Sequence, residues 1–183
     1  KKNGKKKESE RPLMNQEKVK EIIYSSLKKK NFDPELCKCD ENDPQKCFDC
    51  GNFGIHTECA ETCQLFNGEF CFNQNLRRNL GCKFAVIRTE KKGFGLIALE
   101  NIRKGTYIGE YKGEIINLLQ KDNRFDAMNK NNDQDCYIVH LYDEYFIDAK
   151  FRGNEMRFIN HACFPNSKFV LLIVDNLPRI AIF

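Results

Sequence analysis

Eight of the ten cysteines in this chain of 183 residues fall between Cys37 and Cys82. Around them, from Leu36 to Phe72, the sequence is rich in Asp, Asn and Gly and has little periodicity. Too few large apolar side chains occur there to bury a core, so something other than hydrophobic contact must staple the segment. Seven cysteines are clustered: Cys37, Cys39, Cys47, Cys50, Cys59, Cys63 and Cys71. A disulfide scaffold normally brings an even set and a secretory signal. Here the number is odd, and the lysine-rich N-terminus has no apolar stretch. Metal is the expected staple. Thiolates hold Zn²⁺ tetrahedrally, four per ion, so two ions have eight ligand positions, and seven cysteines fill them if one sulfur bridges. His56, in the same stretch, is an alternative ligand. Without metal the segment is expected to be unfolded. Cys82 stands outside the cluster as a plain core or surface cysteine.

Charge is unevenly placed. Residues 1–30 carry 11 Lys or Arg and 4 Asp or Glu, a net +7, and the remainder nets −3. A basic arm suits nucleic acid or a nuclear import receptor, and a mildly acidic body suits a basic peptide. The arm is assigned to residues 1–14 and is expected to be disordered. Residues 15–31 form an expected amphipathic helix, with Val19, Ile22, Ile23 and Leu27 on one face and Asn15 as its cap. No apolar run reaches the roughly 18 residues of a membrane span, and a soluble intracellular protein is expected.

From Phe84 onward the texture changes to short β-like runs: Phe84–Arg88, Leu96–Leu99, Tyr107–Tyr111, Tyr137–Leu141, Tyr145–Asp148, Phe169–Val174 and Arg179–Phe183. Glycine or asparagine turns separate most of them. One helix is expected within 117–129. The fold class is therefore mainly β with few helices, built from several small sheets.

Three strings lie in this half. They are Glu90-Lys91-Lys92-Gly93-Phe94-Gly95-Leu96, Gly109-Glu110-Tyr111-Lys112-Gly113-Glu114, and Arg157-Phe158-Ile159-Asn160-His161-Ala162-Cys163-Phe164-Pro165-Asn166. The third is preceded by Asp148-Ala149 and Gly153-Asn154. In this order they resemble the SET-domain lysine methyltransferases. The cysteine cluster, with its tail Cys71-Phe72-Asn73-Gln74-Asn75, resembles the AWS segment that precedes the SET domain in a chromatin branch of that family. The resemblance covers about residues 36–183 and implies an AWS segment at 32–82 and a SET domain at 83–183. It also implies one zinc on Cys37, Cys39, Cys47 and Cys50 and a second on Cys47, Cys59, Cys63 and Cys71, with Cys47 bridging. The Cys47–Cys50 gap is one residue shorter than in the family.

What the resemblance implies for function is transfer of a methyl group from S-adenosylmethionine (SAM) to a lysine of histone H3, typically at the lysine-36 position. The implied cofactor residues are Lys92, Gly93, Phe94, Cys136, Tyr137, Arg157, Asn160 and His161. Glycines let backbone approach a ligand closely, and the Phe94 ring can pack on it, where the family has tryptophan. The family often carries an aromatic residue in place of Cys136. Tyr111 and Tyr137 are the implied catalytic tyrosines, lining the junction of the cofactor pocket and the lysine channel, where aromatic walls suit an alkyl ammonium. His56 and His140 are expected to be ordinary structural histidines. The implied partners are the histone H3 tail and the nucleosome, with DNA contact through the basic arm, in the nucleus, by a monomer. A catalytically inactive chromatin interaction module and a methyltransferase of a non-histone protein are the alternatives. In the family a segment reading G-E-E-L-T-F-D-Y and a cysteine trio follow the strand that here ends in Arg179–Phe183. Neither occurs in this sequence. The expectation is a fragment, inactive or nearly so alone, whose Cys163 would join a third zinc if that trio were present.

Overall fold

The structure, a computed structural model, describes residues 50–63, 71, 73–90 and 92–183. The basic arm, the helix expected at 15–31, and Cys37, Cys39 and Cys47 lie outside the described residues.

Two short helical turns, α1 (Gly51–Gly54) and α2 (Asn75–Arg78), flank the cysteine region. Eight strands follow in three antiparallel sheets. β1 (Phe84–Arg88) and β2 (Phe94–Ala98) form a hairpin. β3 (Gly109–Tyr111), β8 (Leu177–Ile182) and β7 (Phe169–Val174) form the second sheet, in that order. β4 (Gly113–Asn117), β6 (Tyr145–Gly153) and β5 (Ile138–Tyr142) form the third. Between β4 and β5 runs α3 (Leu118–Lys130), and a single 3₁₀ turn spans Glu155–Phe158. The expected mainly β architecture of small sheets is what the described residues adopt.

Local chemistry explains the connections. Asp175 and Asn176 both have positive φ, at 50° and 58°. They join Val174 to Leu177 as a two-residue turn of the kind whose twist matches paired strands. Asn117 caps α3 reciprocally: its side chain accepts from Gln120 N at 2.9 Å, and Gln120 Oε1 accepts from Asn117 N at 3.0 Å.

The core lies where the last two sheets meet the 3₁₀ turn, and is made of Tyr111, Leu141, Ile147, Ala149, Met156, Ile173, Ile180 and Ile182. Three carboxylates are buried with it. Glu110 is held by Arg179 through Nε at 2.6 Å and Nη2 at 2.5 Å. Glu114 and Asp148 share Arg124 of α3, with Nη2 at 2.8 Å from Glu114 and Nη1 on Asp148. Buried charges are tolerated in this paired form, and removing one partner typically costs about 3–5 kcal/mol.

Candidate functional site: a loop tip over Asn160 and a thiol cluster

The β1–β2 hairpin ends in a tight loop. Thr89 closes it, with its N donating to Gly93 O at 2.7 Å and its Oγ1 accepting from Lys92 N at 3.0 Å. Gly93 has φ +68°, a conformation that favours glycine, and the space a Cβ would take there is open. Gly95 has a different reason. A Cβ on it would lie 2.9 Å from Asn160 Nδ2 and 3.0 Å from Thr89 Cγ2. The second glycine thus makes room for Asn160 itself.

This loop meets the segment after the 3₁₀ turn. Asn160 Nδ2 donates to Phe94 O at 3.3 Å, and Lys92 Nζ reaches His161 O at 3.4 Å. Phe94 packs on Phe158 with centroids 5.4 Å apart. The Arg157 guanidinium lies 4.7 Å from the Phe158 centroid and 5.9 Å from that of Tyr137. Arg157 is fixed by Nη1 donating to Ala149 O and Lys150 O, each at 3.1 Å. Phe94, Phe158, Arg157 and Tyr137 therefore form one row, open to solvent at the Phe94 end, where 54% of that residue is exposed.

Tyr111 and Tyr137 are brought together. The Tyr111 hydroxyl donates to Tyr137 O at 2.9 Å, and Tyr111 is buried in the core. Burial pushes its hydroxyl well above the ordinary tyrosine range, with the Asp148 carboxylate adding to it. Its hydroxyl is engaged, so Tyr111 holds the Tyr137 backbone in place. Tyr137 itself borders a cavity of about 150 Å³ walled by Met128, Ile138, Phe151 and the Lys150–Asp133 pair. Cys136 and Cys163 are exposed.

Sequence reasoning passed over several residues that shape this site. Thr89 sets the loop. Asn154 bolts β3 to the 3₁₀ turn, its Nδ2 donating to Glu110 O at 2.8 Å and its Oδ1 accepting from Lys112 N at 3.2 Å. Arg124 stands behind Asp148. The glycine–asparagine pair Gly153-Asn154 was the one available signal.

The thiols form the second site. Cys59, Cys63 and Cys71 place their sulfurs within 4.8 Å of one another. Cys50 Sγ lies 3.6 Å from Cys59 Sγ. A tetrahedral zinc with Zn–S of about 2.3 Å sets its sulfurs about 3.8 Å apart. Three gathered thiols at such separations fit such an ion. These three belong to the second expected set, whose remaining member, Cys47, is outside the described residues. A hydrogen bond from Cys71 holds the Cys59 thiol well below its ordinary value, and the same contact pushes Cys71 up. His56 is exposed and does not join the group, and His140 is satisfied by Asp143 O at 2.8 Å.

Residues 93–183 match the SET domain. The chain belongs to the SET-domain family. It is similar to the histone-lysine N-methyltransferase ash1 of Drosophila melanogaster, 32% identical over 178 residues, 94% of this chain and 8% of that protein. It is also similar to the histone-lysine N-methyltransferase ASHH1 of Arabidopsis thaliana, 35% identical over 161 residues, 85% of this chain and 32% of that one. A histone-lysine N-methyltransferase of Aspergillus oryzae, named as H3 lysine-36 specific, is 38% identical over 135 residues, 74% of this chain and 14% of that one. The chain spans less than half the length of each of these relatives. The matched span thus includes Gly93 and Phe94 of the loop, the Asn160–His161 segment and Tyr137. No described helix is long and apolar enough to cross a membrane.

Proposed function

We propose that the protein carrying this chain is a SAM-dependent histone-lysine N-methyltransferase, acting on histone H3 in the lysine-36 class, on nucleosomes in the nucleus. The observation that carries the reading is the convergence of Lys92, Gly93 and Phe94 on Asn160 and His161, with the Tyr111–Tyr137 contact behind them. The donors suit SAM. It brings a carboxylate, an amine, an adenine and a sulfonium. Lys92 would hold the carboxylate, Asn160 and the His161 backbone the polar ends, and the rings of Phe94 and Phe158 the flat adenine. The Gly93 backbone, open on the side where a Cβ would stand, allows close approach. When bound, SAM supplies a methyl group on a sulfonium.

The chain's own work is binding, alignment and drying. A substrate lysine has a pKa of about 10.4 in water. Aromatic and aliphatic walls around Tyr137 disfavour its ammonium form and leave the amine free to attack. Tyr111 holds the Tyr137 carbonyl, and the Arg157 guanidinium stands 5.9 Å from the Tyr137 ring centroid, so the wall is braced at both backbone and ring.

In this reading residues 32–82 are an AWS segment holding two structural zinc ions, and residues 83–183 are the SET domain. Cys136 contributes its backbone to the cofactor pocket. The net +7 of residues 1–30 would neutralise DNA phosphates beside the histone tail.

The test is calorimetry of demethylated SAM on the full-length protein and its Asn160→Ala variant. Loss of a buried hydrogen bond to a charged ligand group lowers affinity by about 1.5–3 kcal/mol. Equal affinities would remove Asn160 from the pocket.

A further inference from the structure

The tail Cys71-Phe72-Asn73-Gln74-Asn75 carries three side-chain amides, and the metal reading leaves the task of the buried pair Asn73 and Gln74 unassigned. We propose that Asn73, together with Asn52 of α1, is an outer-shell positioning residue of the thiolate site, aiming N–H groups at the sulfur of Cys59 and so fixing how that sulfur faces its metal. The inference rests on the metal reading of Cys59, Cys63 and Cys71.

The geometry points in one direction. Asn52 Nδ2 lies 3.5 Å from Cys59 Sγ and Asn73 Nδ2 lies 3.4 Å from it. Both distances are ordinary for an amide donating to sulfur. Each asparagine is 5% exposed and Cys59 is fully buried, so water does not compete for the sulfur. The two donors come from opposite flanks: Asn52 follows Cys50, and Asn73 follows Cys71. Asn73 is itself aimed, since its Nδ2 also donates to Thr57 O at 2.9 Å, and its own carbonyl accepts from Cys59 N at 3.0 Å. Backbone and side chain of one residue thus grip Cys59 at both ends.

Gln74 provides an internal contrast. It is fully buried, yet its Nε2 goes to backbone, to Ala60 O at 2.5 Å and Cys63 O at 3.1 Å. It shapes the loop between two cysteines without touching a sulfur. Outer-shell partners that donate to a ligand atom withdraw electron density from it and restrict its orientation, and their loss typically costs about 10- to 100-fold in metal affinity.

The experiment uses the full chain loaded with cobalt(II) or with spin-active cadmium. In the cadmium form of the unmutated protein, through-hydrogen-bond coupling is expected between the metal and the side-chain amide protons of Asn52 and Asn73. In the cobalt form, Asn52→Leu and Asn73→Leu are each expected to move the sulfur-to-metal charge-transfer band to longer wavelength, because Cys59 donates more freely. Each should also weaken metal binding by about tenfold, within the range for outer-shell partners. Gln74→Leu should leave the band in place. Bound cadmium with no coupling to either asparagine, or a band unmoved by both asparagine variants, would overturn the assignment and reduce these residues to packing. A chain that takes up neither metal would instead overturn the metal reading, and this inference with it.

Discussion

Among the described residues from Cys50 to Gln74 the buried side chains are mostly thiols and amides; among those from Phe84 to Ile182 they are mostly isoleucine, leucine, valine and tyrosine. The first region has cysteines at its buried centre, with Phe53 packed against them. Its order depends on side-chain hydrogen bonds to backbone and sulfur, and on whatever joins the thiols. The second has three hydrogen-bonded sheets over an apolar core. The regions meet at one edge of β7. Glu58 N donates to Ile173 O at 2.9 Å, and Ile173 N donates to His56 O at 2.8 Å. The buried Glu58 carboxylate then accepts from Leu76 N at 2.6 Å and Arg77 N at 3.1 Å. Burial pushes that carboxyl up, and only these backbone donors and nearby arginines oppose the shift. The difference teaches that on the metal reading one region borrows its stability from metal chemistry while the other generates its own, and that the seam between them combines backbone hydrogen bonds with apolar contacts such as Phe53 on Phe183 and Leu76 on Leu172 and Val174.

The largest effect that would break this comparison is metal removal. Structural zinc typically contributes about 10–16 kcal/mol to small sites at neutral pH. Chelation should abolish hydrogen-exchange protection in residues 57–63 and 73–78, while the β4–β6–β5 sheet keeps its protection. Uniform loss in both regions would show a single cooperative unit. Next in size is Ile182→Ala in the core. It should destabilise the sheets by about 2–5 kcal/mol in denaturant titration and leave metal stoichiometry unchanged. The smallest expected effect is at the seam's surface. Arg77 pairs with the exposed Asp175 at the β7–β8 turn, with Nη1 at 2.8 Å and Nη2 at 2.6 Å. Arg77→Ala should cost less than about 1 kcal/mol in the same titration, and a larger loss would mean that the seam carries more of the fold than its charges suggest.

The same contrast governs what the sequence disclosed. β1 and β7 were read at their observed bounds because Phe84–Arg88 and Phe169–Val174 are unbroken runs of strand formers between turn residues. A helix was expected within 117–129, and one runs from Leu118 to Lys130, its Asn117 cap becoming evident only in the structure. β4 was missed. Its two buried positions are Glu114 and Ile116, so a carboxylate occupies a core position and spoils the alternation. That carboxylate makes sense only beside Arg124, which the fold, not the sequence order, supplies. β6 was read short for a related reason, since it runs past Asp148 through Lys150 to Gly153, and its end is exposed. At the site, the fold brings together the loop and the segment that the strings named. The reason for Gly95 was hidden, because Asn160 lies 65 positions further along the chain and only the folded hairpin brings the two together. Cys59, Cys63 and Cys71 gather, three of the four that the family resemblance grouped together, whereas the amides that grip Cys59 are invisible to a pattern of cysteines alone.

The most direct measurement is methyl transfer from labelled SAM by the full-length protein to nucleosomes, compared with nucleosomes whose H3 lysine-36 is replaced by arginine. The expected result is label on H3 that disappears with that lysine and with Asn160→Ala. Label that persists on the substituted histone would contradict the substrate. An Asn160→Ala enzyme as active as the unmutated one would contradict the site.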